Sequence, residues 1–112
     1  MSLPKLSKRW LLSNLLNQVH LQAVIESVSP LRFTPAGMPV LDLVLSHQSI
    51  QQEAEGYRQV QVTVEAKIIG ENAKYWQHGT GKIVDVTGFL SRISMKNNKV
   101  LLHIQTIYLY KG

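Results

Sequence analysis

"YWQHGTGKIVDVTGFLSR", Tyr75–Arg92, is the stretch that decides the fold of this 112-residue chain. Its Gly-Thr-Gly-Lys run matches the end of a phosphate-binding P-loop, G-x-x-x-x-G-K-[ST], which opens a helix. Here Trp76 stands at the early glycine position, and Ile83 stands where the magnesium-binding hydroxyl belongs. The residues after Lys82 alternate as in a strand. The stretch therefore predicts a helix end, a glycine turn and a strand, and it argues against a nucleotide-binding loop.

A change of period upstream of this stretch marks the helix. In KIIGENAKYWQHG, residues 67–79, Ile69, Ala73 and Trp76 are spaced four and three apart. That spacing places them on one face of a short helix, which Gly79 ends. Because Trp76 shares its face with apolar residues, we predict that it lies in the core and does not serve as a stacking platform.

Alternation of apolar and polar residues predicts five strands, three before the helix and two after it. They cover Val19–Ile25, Val40–His47, Val60–Glu65, a segment from Val84, and a segment from Leu102 to near Tyr110. Three connections separate them: a loop with Pro35 and Gly37, a longer polar loop closed by Gly56, and a tight turn at Lys96–Lys99.

This element order predicts an all-β fold, a five-stranded OB-fold barrel with one short helix between strands 3 and 4. Gly88 then has a structural role, since a barrel strand has to bend and a glycine accepts a bulge that a side chain resists. The alternative is a glycine that only weakens its strand.

The chain length fits one domain, which we place at residues 17–112. We assign residues 1–16, which include Lys5 and Lys8, to an N-terminal arm. Two interpretations of this arm stay open, a weak amphipathic helix and a disordered tail. Ser13 and Asn14 interrupt the apolar stretch that a signal peptide needs. No apolar run approaches the ~20 residues of a membrane span, so we expect a cytoplasmic protein without membrane contact.

The composition favours a polyanionic partner and argues against catalysis. Lys and Arg number 12 against 7 Asp and Glu, a net charge of +5, and the isoelectric point is near 9.7. The absence of cysteine excludes disulfides and thiolate chemistry. The four histidines lack the spacing of a zinc site, and no G-x-S-x-G motif is present. We therefore expect no enzyme, no cofactor and no metal.

Binding of single-stranded nucleic acid requires cations for the phosphates and aromatic rings on which bases stack. The loops that OB-folds use for this purpose carry both kinds of residue. The candidate nucleic-acid-binding residues are Arg32, Phe33, Tyr57, Arg58, Arg92, Lys96 and Lys99. The alternative is that these charges are only solvated and that Phe33 or Tyr57 packs on a barrel end.

A longer stretch, Ser29–Gln61, resembles a known family. It reads SPLRFTPAGMPVLDLVLSHQSIQQEAEGYRQVQ and contains Pro-Leu-Arg, Pro-x-Gly-x-Pro and His-x-Ser-x-Gln-x-Glu. This pattern is similar to that of primosomal replication protein N (PriB). The likeness continues with lower specificity through VTGFLSR, so that it covers roughly residues 17–111.

The resemblance implies a bacterial homodimer that binds single-stranded DNA and assists the PriA restart helicase and later primosome components. It also implies that Tyr57 stacks a base and that Arg92, Lys96 and Lys99 form a basic hairpin. Gln61 stands where the better-known pattern has a tryptophan, which implies weaker stacking. Two alternatives stay open: a general single-strand-binding protein lacking the acidic tail, and an OB-fold adaptor that docks an acidic protein segment.

Overall fold

The computed structural model describes residues 15–112, so the predicted N-terminal arm lies outside the described residues except for its last two. The described chain forms six strands and one short helix. Their bounds are β1 Val19–Val28, β2 Arg32–Phe33, β3 Pro39–Glu53, β4 Gly56–Ile69, α1 Asn72–Tyr75 with a 3-10 turn Trp76–His78, β5 Ile83–Ser94 and β6 Asn97–Leu109.

The barrel closes because β1 pairs with two strands. Its first part runs antiparallel to β5, from Val19 opposite Gly88 to Val24 opposite Ile83. Its last part, from Val24 opposite Ser46 to Val28 opposite Leu43, runs antiparallel to β3 with a bulge after Ile25. On the far side β4 and β6 pair in parallel. The predicted five-stranded OB-fold barrel with one short helix is confirmed, and the two-residue β2 is added at the edge of β3.

The core of the barrel comes from the alternate residues that the sequence pattern identified. Leu41, Leu43 and Leu45 of β3 are buried, whereas Asp42 between them is half-buried. Directly paired residues share a face of a sheet, so each buried leucine of β3 faces an apolar partner on β4. The side chains that alternate with these buried residues point to the outer face of the barrel.

Gly88 lies at a bulge, as the sequence predicted. Thr87 pairs with Thr106 but Gly88 pairs with Ile104, which leaves Gln105 of β6 as an extra residue. The backbones approach so closely here that a Cβ built on Gly88 would lie 1.9 Å from the carbonyl oxygen of His103. Only glycine fits at this position without displacing the neighbouring strand.

The hairpin of β3 and β4 is longer than predicted. The segment from Gln48 to Glu53, which we expected to be a polar loop, continues β3, and the turn consists of Ala54 and Glu55 alone. Ala54 adopts the left-handed conformation, with φ of 53°. The prediction was wrong because this part of the hairpin extends past the barrel and exposes both faces, so that alternation of apolar and polar residues disappears.

The helix is also shorter at its start than predicted. Ala73 and Trp76 are buried in the core, but Ile69 is the last residue of β4 and its side chain is exposed. Gly70, with φ of 113°, separates the strand from the helix. Trp76 is 3% exposed, so its predicted core position is confirmed. The Lys82 ammonium lies 5.9 Å from the centre of its ring.

Three of the four backbone amides of the Gly-Thr-Gly-Lys turn, those of Gly79, Gly81 and Lys82, donate to backbone carbonyls. The N–H of Gly81 donates to the carbonyl of Ile25 over 2.8 Å, and that of Lys82 donates to the carbonyl of Gly79 over 3.0 Å. These amides are not arranged to surround a phosphate. Within residues 15–112, no helix is both long enough and apolar enough to cross a membrane.

Candidate nucleic-acid interface

A groove crosses the outer face of β3 and β4, between β2 and the hairpin formed by β5 and β6. Its volume is about 300 Å³. The side chains that line it include Arg32, Asp42, Glu65, Lys67, Ile93 and Leu101. The groove therefore brings Arg32, one of the predicted binding residues, close to the base of the hairpin that carries three others.

The guanidinium of Arg32 is held in place by Asp42. Nε donates to Oδ2 over 2.7 Å and Nη2 donates to Oδ1 over 3.2 Å, a two-point contact that fixes the plane of the group. The hydrogen bonds to Asp42, followed by its negative charge, raise the pKa of Arg32. Because Asp42 offsets its charge, Arg32 adds little net positive potential to the groove.

The two candidate stacking residues are both accessible. Phe33 pairs with Pro39 at the start of β3 and is 56% exposed, and Tyr57 is 78% exposed. Neither ring packs on an end of the barrel. Phe33 follows Arg32 in β2, so its side chain points to the opposite face of the strand, and it is not among the residues that line the groove. An exposed aromatic ring is nevertheless suited to stacking on a base.

Tyr57 and Arg58 lie at the far end of the β3–β4 hairpin and point to opposite faces of it. Arg58 Nε donates to Glu53 Oε1 over 2.8 Å. Tyr57 and Lys67 are an even number of residues apart in β4, so both side chains point to the outer face. Ten residues separate these two, or roughly 33 Å along a strand. The structure thus separates Tyr57 from the groove by the length of the hairpin.

The β5–β6 hairpin carries the remaining three predicted residues. Lys96 lies in the two-residue turn, Lys99 lies in β6, and the Arg92 Nη1 donates to Asn98 Oδ1 over 3.2 Å. Within the part of the chain that the structure describes, none of the three forms a salt bridge with a carboxylate. Their charges are not offset, which distinguishes this hairpin from Arg32 and Arg58.

Sequence reasoning missed a second aromatic feature on the outer face. The rings of Phe89 and His103 stack with centroids 4.8 Å apart and an interplanar angle of 6°. His103 Nε2 lies 2.8 Å from Ser91 Oγ, and Lys67 is its partner across the β4–β6 pair. Phe89 follows the buried Gly88, and His103 follows the buried Leu102. Alternation along each strand is therefore the sequence signal that places both rings outside the core.

Burial, and secondarily the charge of Lys67, lowers the pKa of His103 below its ordinary value of 6.5. The unfolded chain then takes up a proton at higher pH than the folded chain does, so the contribution of His103 to stability is lost as the pH falls below about 6.5. We expect urea unfolding to show a smaller loss of stability between pH 7.5 and pH 5 for His103→Gln than for the unchanged protein.

His78→Gln is the matched control, because His78 is an exposed residue at the end of the 3-10 turn. An equal loss of stability in His103→Gln and in the unchanged protein would show that His103 is not a source of the pH dependence.

Polar side chains also connect β1 with β5. His20 Nε2 lies 2.6 Å from Asp85 Oδ1, and Gln22 Nε2 donates to Asp85 Oδ2 over 2.9 Å. The bond from Gln22 and that from His20 lower the pKa of Asp85. No group of three or more metal-ligating side chains comes together among residues 15–112.

Comparison with known proteins identifies relatives along most of the chain. A family model described as "Another single-strand binding protein family" matches residues 17–106. The replication restart protein PriB of Neisseria meningitidis serogroup B is 46% identical over 96 residues, which are 86% of this chain and 96% of that protein. The PriB of Nitrosomonas europaea is 37% identical over 90 residues, 80% of this chain and 83% of that protein.

Solved structures of a PriB and of a single-stranded DNA binding protein also superpose on this chain. The PriB of Ralstonia solanacearum superposes with a TM-score of 0.77 at 30% identity, covering 86% of this chain and 99% of that one. The single-stranded DNA binding protein of Thermus aquaticus superposes with a TM-score of 0.69 at 27% identity, covering 87% of this chain and 51% of that one.

Proposed function

We propose, because the chain belongs to the family of replication restart proteins named PriB, that it binds single-stranded DNA in replication restart. The observation that carries the proposal is the β5–β6 hairpin, where Arg92, Lys96 and Lys99 have no carboxylate partner among the described residues. Such cations release counterions when they contact phosphates, which is the main source of affinity for a nucleic-acid backbone. The protein acts by binding and not by catalysis.

In this mechanism the hairpin cations hold the sugar-phosphate chain while aromatic rings hold bases. Two exposed rings are available for this: Phe33 on β2 and Tyr57 on the outer face of the β3–β4 hairpin. Gln61 lies four residues after Tyr57 in β4, so its side chain points to the same face. It offers no ring for a second base. The stacking surface on this hairpin is therefore short, and the hairpin cations carry a larger share of the affinity.

The decisive experiment measures fluorescence anisotropy of a labelled oligothymidine strand at several salt concentrations, beside a duplex of equal length. We expect binding of the single strand that weakens steeply as salt increases, and little binding of the duplex. A lack of single-strand binding at low salt would refute the proposal. Binding that does not change with salt would contradict the phosphate contacts in particular.

Replacement of Tyr57 tests the stacking part of the mechanism. Tyr57→Ala is expected to weaken single-strand binding by about 1–3 kcal/mol, because a stacked base contributes that amount. The slope of affinity against salt should stay the same, since no charge is removed. Tyr75→Ala is the control, because Tyr75 is similarly exposed but lies on α1. Equal affinities for the two variants would remove Tyr57 from the binding surface.

Family membership also supports proposals on the partners. We propose that residues 17–112 form the binding domain, that two copies associate as a homodimer, and that the dimer works with the PriA restart helicase and later primosome components in the cytoplasm. Sedimentation equilibrium tests the dimer, and a monomer mass at micromolar concentration would refute it. Stimulation of helicase unwinding by the added protein tests the partnership with PriA.

A further inference from the structure

We propose that the outer face of the β3–β4 hairpin binds the hydrogen-bonding edges of unpaired bases through glutamine amides. This contact discriminates single-stranded DNA from duplex. The inference rests on the proposed function and deepens it. The glutamines that form this patch, named the glutamine patch below, are Gln48, Gln52, Gln59 and Gln61.

The four glutamines lie together because of the register between β3 and β4. Three successive residue pairs place them on the face of Tyr57: Gln48 with Gln61, Ile50 with Gln59, and Gln52 with Tyr57. Side chains directly opposite each other have Cβ atoms about 5 Å apart. Successive pairs on one face are two residues apart, or roughly 7 Å along the strand. The glutamine patch therefore extends roughly 13 Å along the hairpin and ends at the Tyr57 ring.

The amides of the glutamine patch are available to a ligand. All four residues are exposed, and none of their side chains forms a hydrogen bond within the described range 15–112. By contrast, the amides of Gln22, Gln51 and Gln77 donate to groups of this chain. The hairpin thus presents several donors and acceptors whose partners have to come from outside the barrel.

The face that carries the glutamine patch has no charged side chain over this length. The outward residues from Ser46 to Gln52 in β3 and from Tyr57 to Thr63 in β4 are all uncharged. Glu53 and Arg58 point to the opposite face, where they form an ion pair at 2.8 Å. A face without cations gains nothing from counterion release, so it is not suited to phosphates. A strand held at its phosphates by the β5–β6 hairpin can instead present its bases here.

An amide suits the edges of unpaired bases. The glutamine side chain has a carbonyl acceptor beside an N–H donor. The Watson–Crick edge of thymine likewise has its N3–H donor beside a carbonyl acceptor, and the other three bases also carry a donor next to an acceptor there. Proteins read such edges where bases are unstacked and unpaired. In a duplex the partner strand occupies them, so the glutamine patch accepts many sequences but only single strands.

A strand with blocked base edges tests this inference. Methylation at N3 of thymine removes the N3–H donor and keeps the ring and the phosphate charge. We expect the unchanged protein to bind oligo-N3-methylthymidine about 10-fold more weakly than oligothymidine, because each neutral hydrogen bond contributes roughly 2- to 10-fold to affinity. Fluorescence anisotropy measures both affinities.

Removal of two amides should reduce this preference. In Gln48→Leu/Gln61→Leu the difference between the two strands is expected to fall to about 3-fold, because two of the four amides remain. The salt slope should stay the same, since no charge is removed. The control is Gln51→Leu/Gln105→Leu, which replaces one glutamine on the opposite face of the hairpin and one at the β6 bulge. The control should keep the full preference for oligothymidine.

The outcomes separate this inference from the proposed function. If the unchanged protein binds both strands equally well, edge recognition is refuted while the function stands. If Gln48→Leu/Gln61→Leu keeps the full preference, or if the control loses as much of it, the glutamine patch is not the source and the inference is also refuted. If the unchanged protein does not bind oligothymidine at all, the proposed function fails together with the inference.

Discussion

Gly88→Ala is expected to reduce the free energy of unfolding by roughly 3 kcal/mol or more, which is the upper range for inserting a methyl group where there is no space. The added Cβ would lie 1.9 Å from the carbonyl oxygen of His103, and this neighbour is backbone that cannot rotate away. The β5–β6 pair would have to separate at the bulge. Thermal unfolding should show a decrease in Tm of roughly 10–20 °C for a domain of this size.

Gly56→Ala is the matched control for this substitution. Gly56 begins β4, its φ does not require glycine, and a Cβ there would meet no atom within 4 Å. The free energy of unfolding of Gly56→Ala is expected to differ from that of the unchanged protein by no more than about 0.5 kcal/mol. If both variants unfold at the same denaturant concentration, the close approach at Gly88 does not constrain the barrel.

The second large effect is expected from the β5–β6 hairpin. The triple variant Arg92→Gln/Lys96→Gln/Lys99→Gln should bind oligothymidine on the order of 100-fold more weakly at 0.1 M salt. The same three contacts should account for about 2 units of the slope of log affinity against log salt. The reason is that these cations have no carboxylate partner among the described residues, so their whole charge is available to phosphates.

Two further observations make this prediction specific. The affinities of the triple variant and the unchanged protein should converge as salt approaches 1 M, because counterion release then contributes almost nothing. Lys74→Gln/Lys111→Gln should keep the original salt dependence, since Lys74 of α1 is already paired with Glu71, the residue before the helix. A triple variant that retains full affinity at low salt would place the binding surface elsewhere.

The fold was predictable from the sequence wherever one side of a strand is buried. Leu41, Leu43 and Leu45 alternate with polar residues because they line the barrel, and the order of the elements followed from such patterns. The second half of β3 could not be predicted, since Gln48–Glu53 extends past the core and has no buried side. The prediction placed Ile69 in the helix, whereas it is the last residue of β4. An apolar residue at this position fits the end of a strand and the start of a helix equally well.

The candidate site was less predictable than the fold. The sequence indicated candidate residues, but it could not show that carboxylates engage Arg32 and Arg58. Nor could it show that, among residues 15–112, no carboxylate engages the cations of the last hairpin. Arg32 and Asp42 are ten positions apart, and only the β2–β3 pairing brings them together. The stacking of Phe89 on His103 likewise depends on the register of β5 and β6, which the bulge after Thr87 determines.

The double pairing of β1 has a consequence for how the chain folds during synthesis. β1 leaves the ribosome first among the strands, yet six of its ten residue pairings are with β5, 59 to 69 residues later. The hairpins of β3 with β4 and of β5 with β6 are local and can form as soon as their turns emerge. Ring closure has to await the last strands, and such distant pairings are the slow step in forming β-rich proteins. The nascent chain therefore exposes one edge of β1 until nearly the whole domain has been translated.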